Sequence, residues 1–114
     1  VGIATGCWHS SARLKLGRGH IPFEELPLAT ASEASGREEI MRIAHDRLLQ
    51  RHAQTSFDRV LYFGDAPWDV EATSQLGWEL VGIGRNVSLL RKLHVAQTFA
   101  DYEDHKAILK ALRL

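Results

Sequence analysis

Hydrophobic positions along this chain follow two alternating rhythms. Unbroken apolar runs at Val1 to Thr5, at Arg59 to Phe63 and in "WELVGIG" at 78 to 84 each run into a glycine. Runs of this length with β-branched and aromatic residues predict strands covered on both faces, as in a parallel sheet. Between them the apolar residues recur at helical intervals. Ser10 to Leu16 predicts a helix ending near Gly17 and Gly19. A longer helix is predicted from about Gly36 to His52, where Ile40, Ile43, Ala44 and Leu48 share a face and Ser35 and Glu38 have capping-box spacing.

Pro67 suits the first turn of a further helix, with Val70, Thr73 and Leu76 on its buried side and Gly77 as its left-handed cap. A short helix around Val87 to Leu93 and a last one from Glu103 to Leu114 follow, and Leu28 to Thr30 and "VAQTFA" at 95 to 100 read as small strands. Strands alternating with helices predict an α/β fold, a three-layer sandwich around a mostly parallel, Rossmann-like sheet.

Size and charge narrow the picture. The 114 residues suffice for one domain, or part of one, and the chain opens directly on a strand with no initiator Met, which suggests that an N-terminal part is missing. Net charge is zero with the basic residues scattered, so the footprint that nucleic acid or an anionic membrane requires is absent. The single cysteine, Cys7, excludes an internal disulfide and fits a reducing compartment, the cytoplasm. No apolar run reaches the roughly 20 residues needed to span a bilayer.

In open parallel sheets ligands bind beyond the carboxyl ends of the strands. Three stretches are expected there: "TGCW" after the first strand, "SGR" before the long helix, and "GDAPWD" after the strand at 59 to 63. Asp65 and Asp69 lie four apart across a strand-to-helix turn, and oxygen donors of this kind suit Mg²⁺. Equally, Asp65 is placed to cap the helix and Asp69 to complement its dipole. Thr5 and Gly6 offer a hydroxyl and backbone amides for a phosphate, or are simply a strand end. Arg37 opposes the dipole of the helix it begins, so either an anion favours it there or Glu38 and Glu39 offset it in solvent.

Other chemistry is poorly supported. Cys7 and His9 lack a third orienting group for thiol catalysis, and the six histidines, His45 and His52 included, show no zinc spacing. "GIGRN" at 82 to 86 lacks the rest of a dinucleotide fingerprint and reads as a turn.

Taken in order, Thr5, Arg37 and Asp65 with Asp69 make the chain resemble the haloacid dehalogenase-like hydrolase superfamily, mostly Mg²⁺-dependent phosphatases. "VGIATG" looks like that family's second motif, and "VLYFGDAPWDVEATSQLGW" like its fourth. The resemblance implies that Thr5, with the Gly6 and Cys7 amides, binds the transferring phosphoryl group. It implies that Asp65 binds Mg²⁺, and that Asp69 does so directly or through water. Arg37 stands where the third-motif cation is expected, with Lys15 as the runner-up.

The family's first motif, Asp-x-Asp, which carries the nucleophile and general acid/base, occurs nowhere in the 114 residues. The resemblance therefore implies the C-terminal part of a core domain, whose sheet lacks the strand between those of the second and fourth motifs. For the complete enzyme it implies an aspartyl-phosphate intermediate and a small phosphorylated substrate, with any large cap in the missing part. The rival expectation is a non-catalytic α/β binding or interaction module that retains part of a phosphate and metal site.

Overall fold

A computed structural model describes residues 1–114, and the chain divides into two units, residues 1–58 and 59–114. In the first, strand β1 (Ile3–Ala4) leads into helix α1 (His9–Arg18), a single 3₁₀ turn (Phe23–Glu25), strand β2 (Leu28–Ala29) and helix α2 (Arg37–Arg51). In the second, strand β3 (Leu61–Gly64), helix α3 (Pro67–Leu76), strand β4 (Glu79–Ile83), helix α4 (Val87–Lys92), strand β5 (Gln97–Phe99) and helix α5 (His105–Ala111) alternate without interruption. The class is α/β, as the alternation predicts. The strands form a two-stranded parallel sheet, β1–β2, and a three-stranded parallel sheet, β3–β4–β5.

In the first unit α2 covers the small sheet. Ile40 and Ala44 pack on the fully buried Ala29, with Ala4 and Ile43 at the margin. The helix begins one residue later than its capping-box spacing predicts: Gly36 is the N-cap and no side chain caps it. Ser35 thus stands outside the helix, and Arg37 occupies its first position. Helix α1 passes through Gly17 and closes at Gly19, whose N–H donates to the Lys15 carbonyl while the His20 N–H donates to that of Gly17.

The second unit is itself a three-layer arrangement. On one face of β4, Val81 and Ile83 pack against Ile108 and Leu112, which α5 and its end contribute, with Leu61 and Phe99 beside them. On the other face Gly82 lies under α4; a Cβ there would stand 2.7 Å from Leu90 Cδ1. Gly77 ends α3 at φ 72, in the left-handed region its position predicts. Arg59 joins the strand starts, with Nε 2.6 Å from Glu79 and Nη1 on the Leu112 carbonyl.

One expectation fails on β3. Its sequence predicts a strand covered on both faces, yet Phe63 is 38% exposed. β3 is an edge strand paired only with β4, and the core beneath α5 takes in Leu61 without reaching Phe63.

Candidate functional site

The first unit gathers all its candidate residues at the carboxyl end of β1. The chain beyond β1 stays tied to the chain beyond β2: Thr5 N–H donates to the Ala29 carbonyl, Ala31 N–H to that of Cys7, and His9 N–H to Ser32 Oγ. Thr5 Oγ1 accepts the Cys7 N–H at 3.2 Å. That bond occupies the Cys7 amide, one of the two expected to meet a phosphoryl group. It leaves the hydroxyl proton of Thr5 to donate elsewhere.

Two cations close in on this turn. A side-chain carbon at Gly6 would come 3.2 Å from Arg37 Nη2, so the guanidinium lies directly over the exposed glycine. Lys15 Nζ, from α1, is 3.4 Å from Cys7 Sγ. No carboxylate lies within ion-pair distance of Arg37 or Lys15. Arg37 makes no ion pair with Glu38 or Glu39, and its guanidinium lies against the loop. The Cys7 thiol is held below its ordinary pKa, first by a hydrogen bond from the Thr5 side chain, then by Lys15, with a smaller contribution from Arg37. The turn thus favours an anion.

In the second unit the two aspartates have separate surroundings. Asp69, only 3% exposed, sits at the third position of α3, and its Oδ2 accepts the Asp65 N–H at 3.1 Å and the Ala66 N–H at 3.2 Å. Ala66 is the N-cap and has no side-chain acceptor, so only the reciprocal half of a capping box exists. Gly64 is obligatory for this packing: a Cβ there would lie 2.6 Å from Asp69 Oδ2. Asp65 is not the cap. Its carboxylate is exposed and accepts no hydrogen bond from the chain, and its carbonyl accepts from Asn86 Nδ2 at 3.2 Å.

Chemically, Asp65 fits a Mg²⁺ ligand, a hard oxygen donor facing solvent. There is no group of three or more His, Cys, Asp or Glu side chains arranged around an ion. A metal here would rest on one or two carboxylates, with water and phosphate oxygens completing the shell, the usual manner of Mg²⁺. Asp69 in this geometry holds the backbone that presents Asp65.

The remaining loops at this end of the sheet also contribute. Within "GIGRN", Gly82 and Ile83 close β4 and the chain turns at 84–86; Gly84 has φ 122, and a Cβ on it would approach Asp65 Cβ to 3.5 Å. Tyr102, beyond β5, meets Phe63 with ring centroids 6.1 Å apart, and its phenol is pushed above its ordinary pKa by burial first and by the Asp65 charge second. Asn86 and Tyr102 were legible only as loop residues after β4 and β5. The rule that carboxyl-end loops of parallel strands share a rim is the signal that finds them. A cavity of about 280 Å³ in this unit lies around the strand starts instead, lined by Trp78, His94 and Leu112 among others, and holds none of the candidate residues.

Comparison of the chain with known protein families, with curated proteins and with solved structures yields no match. No helix is long and apolar enough to cross a membrane.

Proposed function

We propose that this chain is the phosphate- and metal-binding part of a Mg²⁺-dependent phosphohydrolase of the haloacid dehalogenase-like kind. The carrying observation is the cationic turn after β1, where Arg37 covers Gly6 and Lys15 reaches Cys7 without a carboxylate to neutralise either. Cations held at a strand's carboxyl end beside a donor hydroxyl bind a phosphoryl group through charge-assisted hydrogen bonds. Thr5 donates its hydroxyl proton, Gly6 presents its amide, and Arg37 supplies a fork matched to two phosphoryl oxygens. Lys15 is the second cation, and its Nζ lies 3.4 Å from Cys7 Sγ.

In the second unit Asp65 is the metal ligand, and Asp69 sets the turn that aims it. In the family that the chain resembles, Mg²⁺ offsets charge on the phosphoryl oxygens. The nucleophile, an Asp outside these 114 residues, would attack phosphorus to give an aspartyl-phosphate that water then hydrolyses. The resemblance places the nucleophile strand between the second- and fourth-motif strands. The substrate is a small phosphorylated molecule, and a reducing, cytoplasmic setting accords with one half-buried free thiol.

A second reading is favoured by Asp69, whose bonds to the turn serve folding with no metal at all. It makes the chain a non-catalytic phosphate-binding module. Titration of the chain with inorganic phosphate, followed by NMR, separates these readings from neither being right. Arg37→Ala is expected to weaken phosphate about tenfold or more, the worth of one charge-assisted bond. Equal affinity in wild type, Arg37→Ala and Lys15→Ala would refute both. In the complete protein, aryl phosphate hydrolysis lost in Asp65→Asn supports the enzyme, and undiminished hydrolysis removes the metal assignment.

A further inference from the structure

The rim around Asp65 carries an aromatic pair that the phosphohydrolase chemistry does not use. Phe63 is 38% and Tyr102 58% exposed, against 1% for Val81 and 7% for Ile83 on the neighbouring strand. The strand register aligns Phe63 with Val81, so Phe63 lies on the face that α5 covers, at the strand's carboxyl end where that cover stops. Tyr102 arrives from the loop between β5 and α5, and the rings meet with a 34° tilt at 6.1 Å. Asp65 follows Phe63 by two residues, and its charge acts on the Tyr102 phenol.

An aromatic pair left open to water beside a solvent-facing carboxylate offers two things at once. The rings present π-faces that stack on another planar ring, and the carboxylate, through a divalent cation, holds a phosphate. We propose that Phe63 and Tyr102 form a stacking platform for the aromatic or heteroaromatic part of a phosphate ester, so that aryl and nucleotide-like phosphates are preferred over aliphatic ones. This rests on the reading of Asp65 as a metal ligand and adds the substrate class. Tyr102 is then a specificity residue. Its ring does the work, and its hydroxyl is dispensable.

The test uses the 114-residue chain with MgCl₂, titrated by NMR with phenyl phosphate and with glycerol phosphate. Wild type is expected to bind phenyl phosphate the more tightly. In Tyr102→Ala that preference falls about fivefold, the size of one aromatic pair, and Tyr102→Phe retains it. Phe63→Leu, which keeps apolar volume while removing the ring, lowers the preference as well. A preference identical in wild type and Tyr102→Ala overturns the platform, as does one lost equally in Tyr102→Phe.

The metal reading is judged separately by Asp65→Asn. If that variant loses Mg²⁺-dependent binding of both esters while Tyr102→Ala changes no ratio, the platform alone is wrong. If Asp65→Asn leaves Mg²⁺-dependent binding intact, the metal reading is wrong, and the proposal that rests on it falls too.

Discussion

Gly64 is where the turn before α3 is most tightly determined, and Gly64→Ala tests it directly. The Gly64 backbone is not left-handed, so alanine meets no torsional obstacle there. Reduced freedom in the unfolded chain would even favour alanine by about 0.4–1 kcal/mol. Sterics oppose this: the new Cβ would lie 2.6 Å from Asp69 Oδ2, 2.7 Å from Cγ and 2.9 Å from Cβ. These atoms are not the loose end of a flexible chain. Asp69 is 3% exposed, and its Oδ2 is held by the Asp65 and Ala66 amides.

Relief requires moving the carboxylate and breaking hydrogen bonds to a charged acceptor, at about 1.5–3 kcal/mol each. Overpacking without movement costs about 1–3 kcal/mol. The chain takes the cheaper compromise, so Gly64→Ala is expected to destabilise by about 1–2 kcal/mol after the entropic gain. Urea unfolding followed by far-UV circular dichroism reads this as a fall in midpoint at unchanged slope. The control is Gly36→Ala, where no atom lies within 4 Å of the new Cβ and no side chain caps the helix. That variant is expected to stay within about 0.5 kcal/mol of wild type. A Gly64→Ala protein as stable as Gly36→Ala would refute the claim that Asp69 is locked against the glycine.

Other outcomes follow from the same geometry. Gly82→Ala forces a Cβ to 2.7 Å from the fully buried Leu90 and should cost about 1–3 kcal/mol in urea unfolding. Gly17→Ala, inside α1 with only Phe23 at an ordinary 3.9 Å, should instead stabilise by about 0.5–1 kcal/mol. For Cys7 the sign is set by its lowered pKa: alkylation by iodoacetamide should begin at a lower pH than for an unperturbed thiol. Thr5→Val removes the largest cause and should move the alkylation profile to higher pH, with Lys15→Met moving it less. Superimposable profiles for wild type and both variants would contradict the cradle.

Much of this fold is legible in the residue pattern because strand and helix periods, and their punctuation, are local. Gly77 reads as the left-handed cap that ends α3, and "RVLYF" reads as a strand, which the structure places at Leu61–Gly64 with Arg59 and Val60 outside it. The helix N-termini were less legible. Ser35 and Glu38 have capping-box spacing, yet the backbone turns at Gly36 and no side chain caps α2, because a cap depends on the local turn of the backbone as well as on spacing. Phe63 was misjudged for a related reason: an apolar strand residue is covered only if a neighbouring element reaches it.

Within the candidate site the sequence by itself determined the chemistry on offer. It supplied a hydroxyl and glycine after one strand, two aspartates after another, and an arginine set against a helix dipole. Tertiary structure decided what each is attached to. It turned Arg37 onto Gly6 and brought Lys15 from α1 to Cys7. It also divided "GDAPWD" into an exposed carboxylate and a buried one that holds the turn. Spacing fixes which residues can share an end of a sheet, but burial and hydrogen-bond partners depend on atoms distant in sequence, and those settle which carboxylate faces water.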